Sequence, residues 1–413
     1  MKHNSMERKN LIVGQSGGPT AVINNSLYGV VHEAMRRQDK IHHVYGMING
    51  IEGLLNNSVI DFKKDLDSAS LELLKTTPGA FLGSCRYKLP ESMDDPVYPK
   101  LFEIFQEMNI GYFMYIGGND SMDTVSKLSR YAERINSSIR FIGEPKTIDN
   151  DLVLTDHTPG FGSAARYVAS VVREIAMDAN VYAAKSVTIV EIMGRHAGWL
   201  TAASVLSRRF TGDNPILIYL PEVPFSQEDF LKRLQESLKK RSNVVVCVSE
   251  GIQDKNGTFI CEYGSSVGTD TFGHKMLAGC GKYLENLVRS TLGIKARSIE
   301  LNVCQRCSAM LQSGTDASEA REAGSFGVKA ALDGETGKMV SFIRTSNSPY
   351  SLTFGLQDVN LICNKEKTVP AEWITEGGCD IGPEFISYAL PLIQGTVDVP
   401  LGEDGLPQYV YIK

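Results

Sequence analysis

The sequence predicts an α/β protein of two interlocked domains, each with a mainly parallel sheet covered by helices. Three observations carry this. Short β-rich runs alternate with amphipathic helical stretches over the first two thirds of the chain, the pattern of strands joined by crossover helices. Glycine-rich turns stand between an apolar run and a helical stretch, as at residues 14–18 and 117–118. The 413 residues, at roughly 100–200 per domain, give two or three domains with cores large enough to need no disulfide or metal.

Residues 11–13 read as a first strand, followed by a glycine-rich turn and a helix whose Val22, Leu27, Val30 and Ala34 recur at helical spacing. A second strand falls at 44–48. Val97, Leu101, Ile104, Phe105 and Met108 mark another helical face, and 112–116 forms a strand ending at Gly117 and Gly118. The helix opening there keeps its period through Met122, Val125, Leu128 and Ala132, with Asp120 or Ser121 as its N-cap. Further strands are predicted over 139–142, 187–192, 216–220 and 244–248, and helices over 163–177, 198–206 and 227–240. One full set of alternations ends near residue 150, which places one domain over 11–150 and a second over 151–330. Residues 331–413 carry no chemical motif and are expected to pack back on both. Residues 1–10, polar and without an apolar core or small-residue cleavage site, read as a frayed tail.

Charge and hydropathy narrow the function classes. The 42 basic and 48 acidic side chains give a net charge of −6, which points to no nucleic-acid partner. Apolar runs such as 244–248 are far shorter than the roughly 20 residues of a membrane span. The eight cysteines are scattered, several inside apolar runs where a reduced thiol packs as a small hydrophobe, so the chain reads as cytoplasmic. Cys304 and Cys307 form a lone CxxC without a second ligand pair, which argues against a zinc or redox centre.

Three segments carry chemistry. Gly14, Gly17 and Gly18 lie between a strand and a helix, where glycines either make a tight turn or let backbone N–H groups approach an anion. The run is neither a Walker A motif nor a dinucleotide fingerprint. Asn119 and Asp120 follow a second strand and add an amide and a carboxylate at the C-terminal edge of the sheet, where ligands bind. Read alone, they cap a helix. Lys146, Thr147, Asp149 and Asp151 follow a third strand. In an extended segment, residues two apart share a face, so the two aspartates pair. Such a pair can divide tasks, one carboxylate taking a proton from an attacking hydroxyl, the other helping to hold Mg²⁺ and Lys146 neutralising a transferring phosphoryl group; read alone, the run is a solvated polar loop.

Together with residues 78–86, 191–195 and 305–306, these segments occur in the order and at the spacings of the phosphofructokinase family, which the chain resembles over residues 11–310. The resemblance implies paired Rossmann-like domains and Mg²⁺-dependent phosphoryl transfer to the 1-hydroxyl of fructose 6-phosphate, in a homodimer or homotetramer. By position, Asp149 matches the general base, with Thr147, Ile148 and Asp151 beside the reactive hydroxyl and Asn119, Asp149 and Asp151 toward the metal. Met193, Gly194, Arg195 and Glu250 match the sugar-phosphate segment, and Arg297 and Arg306 the cations for its 6-phosphate. Arg86 matches an arginine that meets the transferring phosphate, and Gly17 a backbone contact to the donor.

The resemblance also bears on the donor. ATP-using members have glycines where this chain has Asp120 and Lys146, and the combination looks like the pyrophosphate-dependent branch. A carboxylate at 120 would crowd a nucleotide's α-phosphate and repel it by about 4 kcal/mol for unit charges about 4 Å apart at an effective dielectric near 20. Pyrophosphate lacks that third phosphate, and its exchange for a phosphate ester implies a reaction usable in both glycolytic and gluconeogenic directions. The competing readings are an ATP-dependent phosphofructokinase, an NAD kinase-like enzyme sharing only the turn at 117–121, and a non-catalytic sugar-phosphate sensor. Asn119 replaces an aspartate of many relatives. Val303 and Ser186 depart from the bacterial ATP-dependent pattern, and Glu222 matches an effector-site position of regulated bacterial members.

Overall fold

A computed structural model describes residues 8–412 apart from 265, 270–274 and 278. Its strands begin with β1 (Lys9–Gln15), β2 (Ile41–Met47), β3 (Val59–Asp61), β4 (Ile110–Gly117), β5 (Arg140–Pro145), β6 (Ser186–Ile192), β7 (Leu217–Tyr219) and β8 (Asn243–Ser249). A short ribbon of β9 (Ser266–Thr269) and β10 (Lys275–Leu277) follows, then β11 (Lys295–Glu300), β12 (Lys338–Asn347) and β13 (Tyr350–Asp358).

The larger sheet has the order β13-β12-β5-β4-β1-β2-β3, parallel from β12 to β2 with an antiparallel strand at each edge. The smaller sheet, β11-β6-β8-β7, is all parallel. Helices cover both sheets on both faces. β8 (Asn-Val-Val-Val-Cys-Val-Ser) is therefore buried along its whole length, which explains its unbroken apolar run.

Two helices meet at unusually close range. A Cβ on Gly29, in the helix Ile23–Arg36, would lie 2.0 Å from the Arg321 carbonyl oxygen, and one on Gly324, in the helix Gly314–Leu332, 2.3 Å from that of Ser26. Glycine is what lets these backbones touch. Ala323, Val328 and Ala331 then share a core with Val13, Leu27 and Val30. The expected boundary at 330 thus falls inside a helix packed on the first sheet, and β12 and β13 extend that same sheet. Phe385, Ala389 and Leu392 instead join Phe161 and Trp199 in the core of the second.

Local expectations differ at four places. Gly118, not Asp120 or Ser121, occupies the N-cap of the helix Asn119–Arg134, without a side-chain cap bond. Asp120 and Ser121 are already helical there, so their side chains sit too far along to cap. The predicted helix at 198–206 is an α-turn, Trp199–Ala203, continued by a 3₁₀ turn, Ser204–Ser207. Of the expected tail, residues 1–7 lie outside the described residues, while Lys9 and Asn10 already belong to β1. Finally, the Asp149–Asp151 stretch is bent, with Asn150 in the left-handed region at φ 54°.

Candidate active site

The C-terminal ends of β1, β4 and β5 face those of β6 and β8 across a cavity of about 690 Å³. Strand ends are where open α/β sheets gather ligand-binding groups. From the first sheet come Gly17, Gly18, Asn119, Asp120, Lys146, Thr147, Ile148, Asp149 and Asp151; from the second come Met193, Arg195, Glu250 and Arg306. Segments some 290 residues apart in sequence (Gly17 to Arg306) thus line one space.

Two cations stand against the first glycine turn. Lys146, only 2 % exposed, donates from Nζ to the Gly18 carbonyl oxygen at 2.7 Å. Gly17 is left-handed at φ 76°, and a Cβ there would sit 3.3 Å from Lys146 Nζ; one on Gly18 would sit 3.2 Å from Arg306 Nη1. The glycines therefore make room for Lys146 and Arg306. The Gly17 N–H donates to the Cys85 carbonyl oxygen at 3.3 Å, so the turn offers its ligand cationic side chains more than this N–H. Burial pushes the Lys146 ammonium down to about 8, opposed by Asp149 and Asp151.

Burial first, then Asp151 and Glu250, push the Asp149 carboxyl up to about 7, while Lys146 and Thr147 pull it down. Asp151 is also raised, by burial. The two carboxylates reach the cavity together through a bend at Asn150 instead of the strand alternation expected of them. Thr147 anchors this bend: its Oγ1 accepts from the Asp149 N–H at 3.1 Å, and its N–H donates to the Pro159 carbonyl oxygen at 3.2 Å. A carboxyl with a pKa near neutrality suits proton transfer at physiological pH.

On the opposite wall the Glu250 carboxylate accepts from the Gly194 N–H at 3.3 Å, and Gln305 Oε1 from the Met193 N–H at 3.2 Å. These bonds hold the segment carrying Arg195, whose guanidinium lies over Phe259. Gly194 itself does not line the cavity. Nor do Arg86 and Arg297, both exposed, although Arg86 follows Cys85, the residue bonded to the Gly17 N–H. Arg297 sits on β11, the edge strand of the smaller sheet. Its expected role at the 6-phosphate and that of Arg86 at the transferring phosphate have no support in this arrangement of a single chain. Glu222, the effector-site match, accepts backbone N–H bonds from Gly198 and Val369.

Asn364 and Glu366 also line the cavity. Sequence reasoning missed them because residues 331–413 hold no motif, and nothing local in Asn364-Lys-Glu366 marks a site. The Asn119 amide donates to the Lys365 carbonyl oxygen at 3.0 Å, while its buried Oδ1 has no partner. Asn119, Asp149 and Asp151 line the same cavity and carry only oxygen donors on the side chains that could meet a cation, the atom type that Mg²⁺ takes. Cys304 and Cys307 are free and exposed on the short helix that presents Arg306. Among the described residues, no helix is long and apolar enough to cross a membrane.

Comparison with known proteins now decides the family, since the Phosphofructokinase profile matches residues 10–325. The chain belongs to the phosphofructokinase family. It is 40 % identical over 406 residues to a Halomonas elongata protein named pyrophosphate–fructose 6-phosphate 1-phosphotransferase, covering 98 % of this chain and 96 % of that one. A Xanthomonas campestris protein of the same name is 40 % identical, with 99 % and 97 % covered. The structure of a pyrophosphate-dependent phosphofructokinase from Nitrosospira multiformis superposes with a TM-score of 0.89 at 36 % identity, covering 98 % of this chain and 96 % of that chain. The family profile stops before Asn364 and Glu366, yet these relatives extend through the region that supplies them.

Proposed function

We propose that this phosphofructokinase transfers a phosphoryl group reversibly from pyrophosphate to the 1-hydroxyl of fructose 6-phosphate, giving fructose 1,6-bisphosphate and phosphate. The observation that carries the reading is Lys146: a buried ammonium, where ATP-using members have glycine, bonded to the Gly18 carbonyl oxygen and facing Asp149 and Asp151. The names of relatives matching nearly the whole chain support the same donor.

In the forward direction Asp149 takes the proton of the 1-hydroxyl as that oxygen bonds to the terminal phosphorus of pyrophosphate. The bond to the bridging oxygen breaks, and phosphate leaves. Lys146 balances the charge that moves between the two oxygens, and Arg306 serves the sugar's 6-phosphate. Met193, Arg195 and Glu250 orient the sugar phosphate, and planar Arg195 suits a phosphate oxygen pair. Asn119, Asp149 and Asp151 would hold Mg²⁺, which neutralises the phosphoryl oxygens when bound. The reading includes a cytoplasmic homodimer or homotetramer. The exposed Met177, Val181, Tyr182 and Phe210 would serve a subunit contact.

The test is one coupled assay with Mg²⁺ and fructose 6-phosphate, comparing the two donors. Turnover with pyrophosphate well above that with ATP is expected, and turnover with ATP alone overturns the reading.

A further inference from the structure

We propose that Lys367 is a positioning residue that holds the catalytic bend and the residues after it, 149–156, in place beside the reacting groups; this rests on the function proposed above. After β13, the chain passes a 3₁₀ turn, Val359–Leu361, and crosses the edge of the cavity, where Asn364 and Glu366 line it. Lys367 does not line the cavity. It bonds to the loop behind it instead.

One residue takes three carbonyls of that loop. The Lys367 N–H donates to the Asp151 carbonyl oxygen at 2.7 Å, and Nζ donates to those of Thr155 at 3.1 Å and Asp156 at 2.8 Å. Tyr388 Oη adds a second donor to the Asp156 carbonyl and accepts from the Asn150 amide. Such clamping has a physical reason. The loop contains two non-glycine residues in the left-handed region, Asn150 at φ 54° and Leu154 at φ 59°. Backbone of that kind persists only where its surroundings over-determine it.

Lys367 is itself fixed from the second sheet's side. Trp199 Nε1 donates to the Lys367 carbonyl oxygen at 2.9 Å, and the ammonium lies 5.2 Å from the Trp199 ring centroid. Two residues on, the Val369 N–H shares the Glu222 Oε1 atom with the Gly198 N–H. The strap therefore ties the loop bearing Asp149 to the wall that presents Arg195, while the Asn119 bond to Lys365 ties it to the donor turn.

Lys367→Met removes the ammonium and leaves the backbone bonds. Misplacement of reacting groups by about 1 Å costs on the order of 100-fold, so kcat is expected to fall by about that factor with both KM values within about threefold. In the ligand-free protein, amide exchange over 150–156 should quicken about tenfold, the mark of locally loosened structure. Lys367→Arg, whose fork reaches both carbonyls, should recover most of both. If Lys367→Met does not fold, Trp199→Phe, which loses the indole N–H bond to the Lys367 carbonyl and part of the ring beside the ammonium, should show the same paired effect in smaller measure once corrected for folded fraction. A kcat within about twofold of wild type, unchanged exchange at 150–156, or a kcat loss that merely tracks the folded fraction overturns the proposal. A wild-type chain inactive with pyrophosphate would defeat the functional reading instead, and the exchange arm would still decide the role of Lys367.

Discussion

Lys88 Nζ stands 3.2 Å from Asp120 Oδ1 at the donor turn, with both side chains 75 % exposed. The carboxylate expected to repel a nucleotide is thus solvated and paired. An exposed pair of this kind is worth about 1 kcal/mol or less, so the 4 kcal/mol repulsion expected from the sequence is an upper bound. On the function proposed above, donor choice would rest on the bulk of Asp120 and, above all, on the buried Lys146.

Two variants separate these effects. Lys88→Met should change kcat/KM for pyrophosphate by less than about fivefold, the scale of a surface pair. Asp120→Gly combined with Lys146→Gly should lower it by about 100-fold or more, as loss of a preorganised charge-stabilising group does, and should raise ATP turnover. Steady-state kinetics with both donors check this; unaltered donor constants in the double variant contradict it.

Asp149→Asn tests the base. Removing a general base costs about 100- to 10,000-fold, and the loss should appear in kcat with the fructose 6-phosphate KM little changed. The same variant separates enzyme from sugar-phosphate sensor, since a sensor would bind sugar phosphate with no turnover to lose.

Glu144 offers a pH test of stability away from the reaction. It is 0 % exposed on β5, and neither carboxyl oxygen has a partner. Burial raises its pKa well above the ordinary 4.5. The folded chain therefore holds this proton where the unfolded chain releases it. The group's contribution is intact below 4.5 and is lost as pH rises toward the folded-state pKa. Glu144→Gln should gain stability relative to wild type as pH rises above 4.5, as read by urea unfolding across pH.

Gly29→Ala should part the helices Ile23–Arg36 and Gly314–Leu332, because the added Cβ meets the Arg321 carbonyl oxygen at 2.0 Å. Backbone must move, so a loss of about 1–3 kcal/mol is expected, the usual cost of overpacking. Urea midpoints check it. Activity per folded molecule should survive, since neither helix lines the cavity.

Much of this molecule was legible from the chain. The alternation of apolar runs and helical faces identified the strands β1, β2, β4, β5, β6, β7 and β8, because side-chain period is a local property that each segment carries with it. Motifs at strand ends marked Gly17, Asn119, Asp120, Lys146, Asp149 and Asp151, and the family resemblance marked Arg195, Glu250 and Arg306. Gly17, Asn119, Asp120, Lys146, Asp149, Asp151, Arg195, Glu250 and Arg306 do meet in one cavity.

Less legible were features made by distant contact. β12 gains its place by pairing with β5 nearly 200 residues earlier (Lys338 with Ile142), and the helix Gly314–Leu332 by glycine contact with the helix Ile23–Arg36. Asn364, Glu366 and Lys367 have no motif because their roles come from what they touch.

The sequence by itself determined most element types, most of the residues that line the cavity and the family, since periodicity and motif spacing are written along the chain. Tertiary structure alone decided that Lys146 lies buried on Gly18, that Asp120 is paired with Lys88, that Arg86 and Arg297 do not line the cavity, and that Lys367 bonds the carbonyls of Asp151, Thr155 and Asp156. Burial, charge pairing and backbone support depend on which segments are brought together in space, and no local pattern encodes that.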